Sequence, residues 1–156
     1  MKEIPIAGGK IVLVDDADYD VLASFKWYLS STGYATRTHW FGRQFKPKKK
    51  HVWMHRQLCP ITKDQPLVDH KNGNKLDNRR ANLRASTKSQ NGSNRGRTRI
   101  NQTGFKGVSK HTSGFISQIR VHNRNHYLGW YSSPEPAAMI YNLIAVEVFG
   151  EFANLN

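Results

Sequence analysis

The chain holds one cysteine, Cys59, in 156 residues. A disulfide framework or a Cys-pair zinc site needs at least two, so neither can form within the chain, and a reducing compartment suits it. Acids are scarce as well: 11 Asp and Glu stand against 24 Lys and Arg, a net charge of +13. The deficit is local. Residues 37–110 carry nineteen Lys or Arg and three acids, about +16, whereas the segments on either side are close to neutral. A basic block of that size is a footprint for polyanions, most often nucleic acid. Long apolar runs are also missing. The start, MKEIPIAGGK, lacks the apolar stretch of a signal peptide, and the apolar run near the end is broken by Tyr141, Asn142 and Glu147, which is too polar for a bilayer span. A cytoplasmic, intracellular protein with no membrane partner is expected. Hydrophobic residues make up 38%, low for one large core, which favours small sub-structures.

Residues 1–60 read mostly as strands. KIVLV at 10–14 is a short buried-strand run closed by DDADYD, read as an acidic turn. GYATRTHWF at 33–41 alternates with period two. KHVWMHRQL at 50–58 would place His51, Trp53 and His55 on one strand face, with FKPKKK before it as a basic loop. Residues 92–103 have no apolar periodicity and read as a basic linker. FKGVSKH, GFISQIRVHN and NHYLGWYS then form three strand-like pieces of an antiparallel sheet, the last two joined by an Arg-Asn turn. Ser133-Pro134-Glu135 opens a helix with Ala138, Tyr141, Ala145 and Val148 along one side, ended by Gly150.

Between these halves lies DHKNGNKLDNRRANLRASTKSQN, residues 69–91. The Asn72-Gly73 pair is a tight-turn signal, so a strand ending at Val68 or His70 reverses there. Ser86 or Thr87 caps a short helix on which Lys88 and Asn91, three apart, share a face. A hard divalent cation takes oxygen ligands, which Asp69 and Asn91 supply. A water attacking phosphorus needs a base with a pKa near neutrality, and His70 fits. The amides of Asn78 and Asn82 suit loop backbone groups. The same Asp-His pair, taken alone, reads more readily as a hydrogen-bonded, turn-stabilising pair. His51 and His55 have the spacing of a zinc helix, but HVWMH lacks the Glu of that motif and reads as a strand.

Segment 69–91 resembles the HNH endonucleases of the phage and intron-encoded homing type, and MHR at 54–56 resembles the segment preceding their motif. The resemblance implies His70 as general base, Asn82 as the brace of the loop presenting it, and Asp69 with Asn91 as ligands of one Mg²⁺ or Mn²⁺. Segment 104–156 resembles the Apetala-type ethylene-response-factor DNA-binding domain in FKGV, FISQIR, YLGWY and AAMIYNLIAVEVFGEFANLN. That resemblance implies a sheet docked in a major groove, with Lys106 and Arg120 where the family has DNA-contacting Arg.

Together these imply an α+β protein. A ββα-metal HNH core would lie within residues 1–91 behind a strand-rich region, residues 92–103 would link, and 104–156 would be a three-stranded antiparallel sheet packed on one helix. The expected activity is metal-dependent hydrolysis of double-stranded DNA, leaving 5′-phosphate and 3′-hydroxyl ends, by a monomer or weak dimer. Catalysis is expected from His70, Asp69, Asn82 and Asn91. DNA contacts are expected from Lys48, Lys49, Lys50, His55, Arg56, Arg79, Arg80, Lys88, Arg95, Arg97, Arg99, Lys106 and Arg120. The alternatives are a DNA-binding regulator with a degenerate HNH segment and, on charge alone, a ribosome-associated RNA-binding protein.

Overall fold

The computed structural model describes residues 1–41, 48–96 and 101–156. The chain divides into two compact units, Met1–Ser86 and Thr87–Asn156. The division falls after Ser86, so the helix carrying Lys88 and Asn91 opens the second unit.

In the first unit, β1 (Lys2–Ile6) and β2 (Lys10–Val14) pair antiparallel. Their alternation buries Ile4, Ile6, Val12 and Val14 and leaves the charged positions outside, as period-two side chains require. DDADYD is helical rather than a turn: α1 runs Asp16–Ala23. Acids in a first helical turn complement the N-terminal dipole, while Leu22 and Tyr19, three apart, turn toward the core. A three-stranded sheet of β3 (Tyr28–Leu29), β4 (Ala35–Phe41) and β5 (Lys48–Trp53) follows. Lys48, Lys49 and Lys50 thus belong to a strand, not to a basic loop. That strand stops at Trp53, and α2 (Met54–Leu58) replaces the expected continuation to residue 58. Met54, His55 and Leu58 are buried while Arg56 and Gln57 are exposed, the i, i+1, i+4 pattern of a helix face; a strand would bury every second residue instead.

The third sheet pairs β6 (Leu67–His70) with β7 (Leu83–Ser86), Asp69 opposite Arg84 and His70 opposite Leu83. Gly73 does turn, at φ +71° with its N–H on the His70 carbonyl. The strand nonetheless does not reverse directly into a partner. Residues 71–82 form a loop closed by a 3₁₀ turn, Arg80–Asn82, and β2 anchors it: Leu13 N–H donates to the Leu76 carbonyl, and Asn78 N–H donates to that of Leu13. The common core includes Trp27, Ala35, Val68 and Leu83.

The second unit opens with α3 (Lys88–Ser93). Thr87 accepts from Gln90 N–H while the Gln90 side chain accepts from Thr87 N–H, a capping box. Gly92 and Ser93 therefore end a helix instead of starting a linker. Asn101 is ordered by its own contacts, accepting from Thr103 and Gly104 N–H groups. Strands β8 (Val108–His111), β9 (Gly114–Val121) and β10 (Arg124–Tyr131) form one antiparallel sheet in the order β10-β9-β8. The β9–β10 reversal sits at His122 and Asn123, both at positive φ, two residues before the Arg124-Asn125 pair expected there. Helix α4 (Pro134–Phe149) lays Ala137, Ala138, Tyr141 and Ala145 on the sheet, while Val148 is exposed. Gly107 is required by close packing, because a Cβ there would sit 2.1 Å from the Tyr141 ring. Among the described residues no helix is long and apolar enough to cross a membrane.

Candidate active site

His70 ends β6 and is 4% exposed. Its neighbour Asp69, also 4% exposed, points to the opposite side of the strand and meets its cross-strand partner. Arg84 Nε and Nη2 reach Asp69 Oδ2 at 2.9 and 2.8 Å. A carboxylate this buried requires such a partner.

The loop after His70 is held by side-chain amides. Asn82 Nδ2 donates to Asn72 Oδ1 at 3.0 Å and to the Asp77 carbonyl at 2.8 Å, and Asn82 Oδ1 accepts from Asn72 N–H at 3.1 Å. Asn72 Nδ2 in turn donates to Asp77 Oδ2 at 2.8 Å. Asp77 carries the Arg79 guanidinium on both oxygens, at 2.7 and 2.6 Å. These bonds, with Arg79 leading, hold the Asp77 carboxyl below its ordinary pKa. One hydrogen-bonded unit therefore spans residues 72–82.

Facing the imidazole is a ring cluster from elsewhere in the same unit. The His55 and His70 rings are 5.4 Å apart at 69°. Tyr34 lies 4.7 Å from His55 and 5.8 Å from His70, and Trp53 is 6.1 Å from His55. Burial pushes His55 down to about 3, assisted by the charges His70 and Arg56 would carry. Burial also lowers His70, against the opposing influence of Asn78, Asp69 and Asp77. Asn78, itself 1% exposed, favours the protonated ring from close by, although its amide makes no hydrogen bond of ordinary geometry among the described residues. Both imidazoles are thus neutral at physiological pH, and His70 has the form in which a nitrogen can accept a proton.

The sequence-selected cations fall into different settings. His55, 6% exposed, is a packing residue here and not on the surface. Arg79 serves Asp77, and Arg80 serves Asp18 (2.8 Å from both Nε and Nη2) and the Leu58 carbonyl (3.1 Å), so both guanidiniums are paired within the fold although their side chains stay exposed. Lys48, Lys49, Lys50 and Arg56 are exposed in the first unit. In the second unit Lys88, Arg95, Lys106 and Arg120 come together around one cavity of about 370 Å³ that Tyr141 and Phe149 also line. Lys106 is the least available of these. Its ammonium donates to the Ser93 and Asn154 carbonyls, and burial lowers its pKa to about 8. Arg97 and Arg99 lie outside the described residues.

Sequence reasoning missed Tyr34, Trp53 and Arg84. Only Arg84 had a local signal, as a cation on the strand facing Asp69.

As for a metal, no group of three or more His, Cys, Asp or Glu among the described residues converges as a ligand set. Around His70 the oxygen donors are the Asp69 and Asp77 carboxylates, each carrying an arginine, and side-chain amides. Such a sparse, all-oxygen set fits Mg²⁺, which keeps several waters and is bound through one or two protein groups together with substrate phosphate oxygens. It does not fit a zinc site closed by the protein.

Residues 48–93 match the family model described as HNH endonuclease, so the segment carrying His55, Asp69, His70, Asn82 and Asn91 is similar to nucleases of that class. Over 153 residues the chain is also 29% identical to an uncharacterized HNH endonuclease of Acanthamoeba polyphaga mimivirus, covering 95% of this chain and 75% of the relative.

Proposed function

We propose that the protein is a metal-dependent DNA endonuclease of the HNH homing type. The observation that carries this is His70: a neutral imidazole at a strand end, walled by Tyr34 and His55, and followed by a loop that Asn82 ties together. In this reading His70 takes a proton from a water that attacks the scissile phosphate, leaving 5′-phosphate and 3′-hydroxyl ends. Asp69 and Asn91 would hold one Mg²⁺ or Mn²⁺, an assignment that for Asn91 rests on its spacing in the sequence. When bound, such an ion supplies Lewis-acid stabilisation to the phosphate and the leaving oxygen. Arg84 positions Asp69, and Asn82 positions the loop after the base.

Site selection is assigned to the second unit. This rests on the resemblance of segment 104–156 to the ethylene-response-factor module and on its three-stranded sheet packed by α4, and Lys88, Arg95 and Arg120 offer a basic cavity for the phosphate backbone. Double-stranded DNA is the substrate of this reading. Sequencing the ends made on a random-site library tests it, because site, strand count and end chemistry are read together. Ends bearing 5′-phosphate at a recurrent sequence are expected. Ends bearing 3′-phosphate, or cuts without any sequence preference, would refute the assignment.

A further inference from the structure

Strands β4 and β5 place Thr36 opposite Trp53, Thr38 opposite His51 and Trp40 opposite Lys49. Directly opposed residues of an antiparallel pair point to one side, and every second residue shares that side. These six side chains therefore form one continuous ribbon face. At its inner end Trp53 packs on Tyr34 at 5.9 Å and on His55 at 6.1 Å, the rings that wall His70. At its outer end, four residues or about 13 Å away, Trp40 is 62% exposed. A cavity of about 390 Å³ opens there, lined by Phe25, Lys26, Tyr28, Arg37, Trp40 and Lys49 among others.

Aromatic and cationic groups make up most of that lining, and no carboxylate is among them. Phe25, Tyr28 and Trp40 are all exposed. The Arg37 guanidinium lies 4.0 Å from the Phe25 ring centroid, and its buried Nε has no hydrogen-bond partner among the described residues. Flat apolar rings interleaved with cations match the two parts of an unpaired nucleotide. A base stacks on a ring face, and its phosphate meets ammonium or guanidinium. A paired base offers no free face to such rings. The lack of carboxylates and the surplus of cations disfavour a basic protein partner.

We propose that this ribbon face binds an unpaired segment of a nucleic-acid strand, with a base on Trp40 and a phosphate on Lys49, and leads that strand toward His70. The proposal deepens the nuclease reading and rests on it for the meaning of His70, but it makes a separate claim about strand pairing.

The test is binding without metal, in EDTA and at one salt concentration, using the full-length chain. The probes are a labelled duplex and the same duplex with three central unpaired positions. The wild-type chain is expected to bind the unpaired probe about tenfold more tightly than the duplex. Trp40→Ala is expected to remove that preference while leaving duplex affinity within about twofold, and Trp40→Tyr to retain it. Trp130→Ala, at an exposed ring of the second unit, serves as the control and keeps the preference. Equal affinity of the wild type for both probes overturns the proposal. So does a Trp40→Ala variant, folded by circular dichroism, that keeps the preference or loses both affinities equally. A separate plasmid-cutting assay on the wild type distinguishes the two claims. Cutting without a preference for unpaired strands sinks the ribbon alone, whereas preference without cutting sinks the nuclease reading alone.

Discussion

The imidazole of His55 stands edge-on to that of His70, centroids 5.4 Å apart at 69°, and both rings are buried. Two protonated imidazoles at that distance would repel, and burial already disfavours either charge. The pair is therefore neutral in the folded protein, and its cost appears in acid. The unfolded chain protonates both rings near 6.5, whereas folded His55 does not follow until about 3. Between those values the unfolded state holds more protons, so stability falls as pH drops. His55 alone should contribute a slope of about 1.4 kcal/mol per pH unit across that window. Urea unfolding of the first unit from pH 7 to 4 measures it, and His55→Phe is expected to give a shallower slope than the wild type. An unchanged slope would mean that His55 does not titrate as its burial requires.

Arg84 and Asp69 form a second dependent pair. Their side chains are 10% and 5% exposed, so Arg84→Met should leave a carboxylate buried beside its former partner. The expected loss is about 3–5 kcal/mol of stability in denaturant titration. Asp69→Asn in that background should recover part of it, since the stranded charge is then gone.

Asn82→Ala removes three hydrogen bonds to the loop 72–77. At about 1 kcal/mol each, with a further penalty for the Asn72 groups left unmade, a destabilisation of roughly 3–4 kcal/mol is expected. Hydrogen exchange should localise the loss to residues 71–82. Uniform loss of protection across the whole first unit would show that Asn82 supports more than this loop.

Gly107→Ala tests the packing of the second unit. A methyl group there meets the Tyr141 ring and the Gln118 carbonyl, at a backbone φ of +74°. We expect a loss of about 1–3 kcal/mol, read by Trp130 fluorescence with the first unit unaffected.

The second unit also dictates how its DNA contacts must be probed. Ser93 Oγ donates to the Phe152 carbonyl, and Lys106 donates to the Ser93 carbonyl, so α3 shares its support with the last residues of the chain. Deleting 101–156 would strip those partners from the helix that carries Asn91. Arg120→Ala, at an exposed strand position, is the cleaner variant. Under the proposed division of labour it should weaken site selection while sparing the rate on saturating DNA.

What was legible in the sequence was local. The Asn72-Gly73 turn, the Thr87 cap, the strand at residues 10–14 and the Gly150 helix end all follow from a few neighbouring residues, and each sits in the structure. The spacing of Asp69, His70 and Asn82 was readable for the same reason. What was not legible depended on distant partners. DDADYD looked like a turn because its acids masked Tyr19 and Leu22, whose helical spacing matters only against the core formed by β1 and β2. HVWMH looked like one strand because Met54 and His55, buried side by side, break the strand alternation only once their burial is known. The pairing of Arg80 with Asp18 could not be read because the two lie 62 residues apart. His55 looked like a surface group for the same reason: Tyr34 and His70 enclose it from other elements.

The central claim is that His70 activates the attacking water, and a supercoiled-plasmid assay tests it most directly. Wild-type protein should cut in Mg²⁺ and not in EDTA. His70→Ala should bind the same DNA with unchanged affinity while cutting about 10²–10⁴-fold more slowly. Cutting by His70→Ala at the wild-type rate would contradict the account.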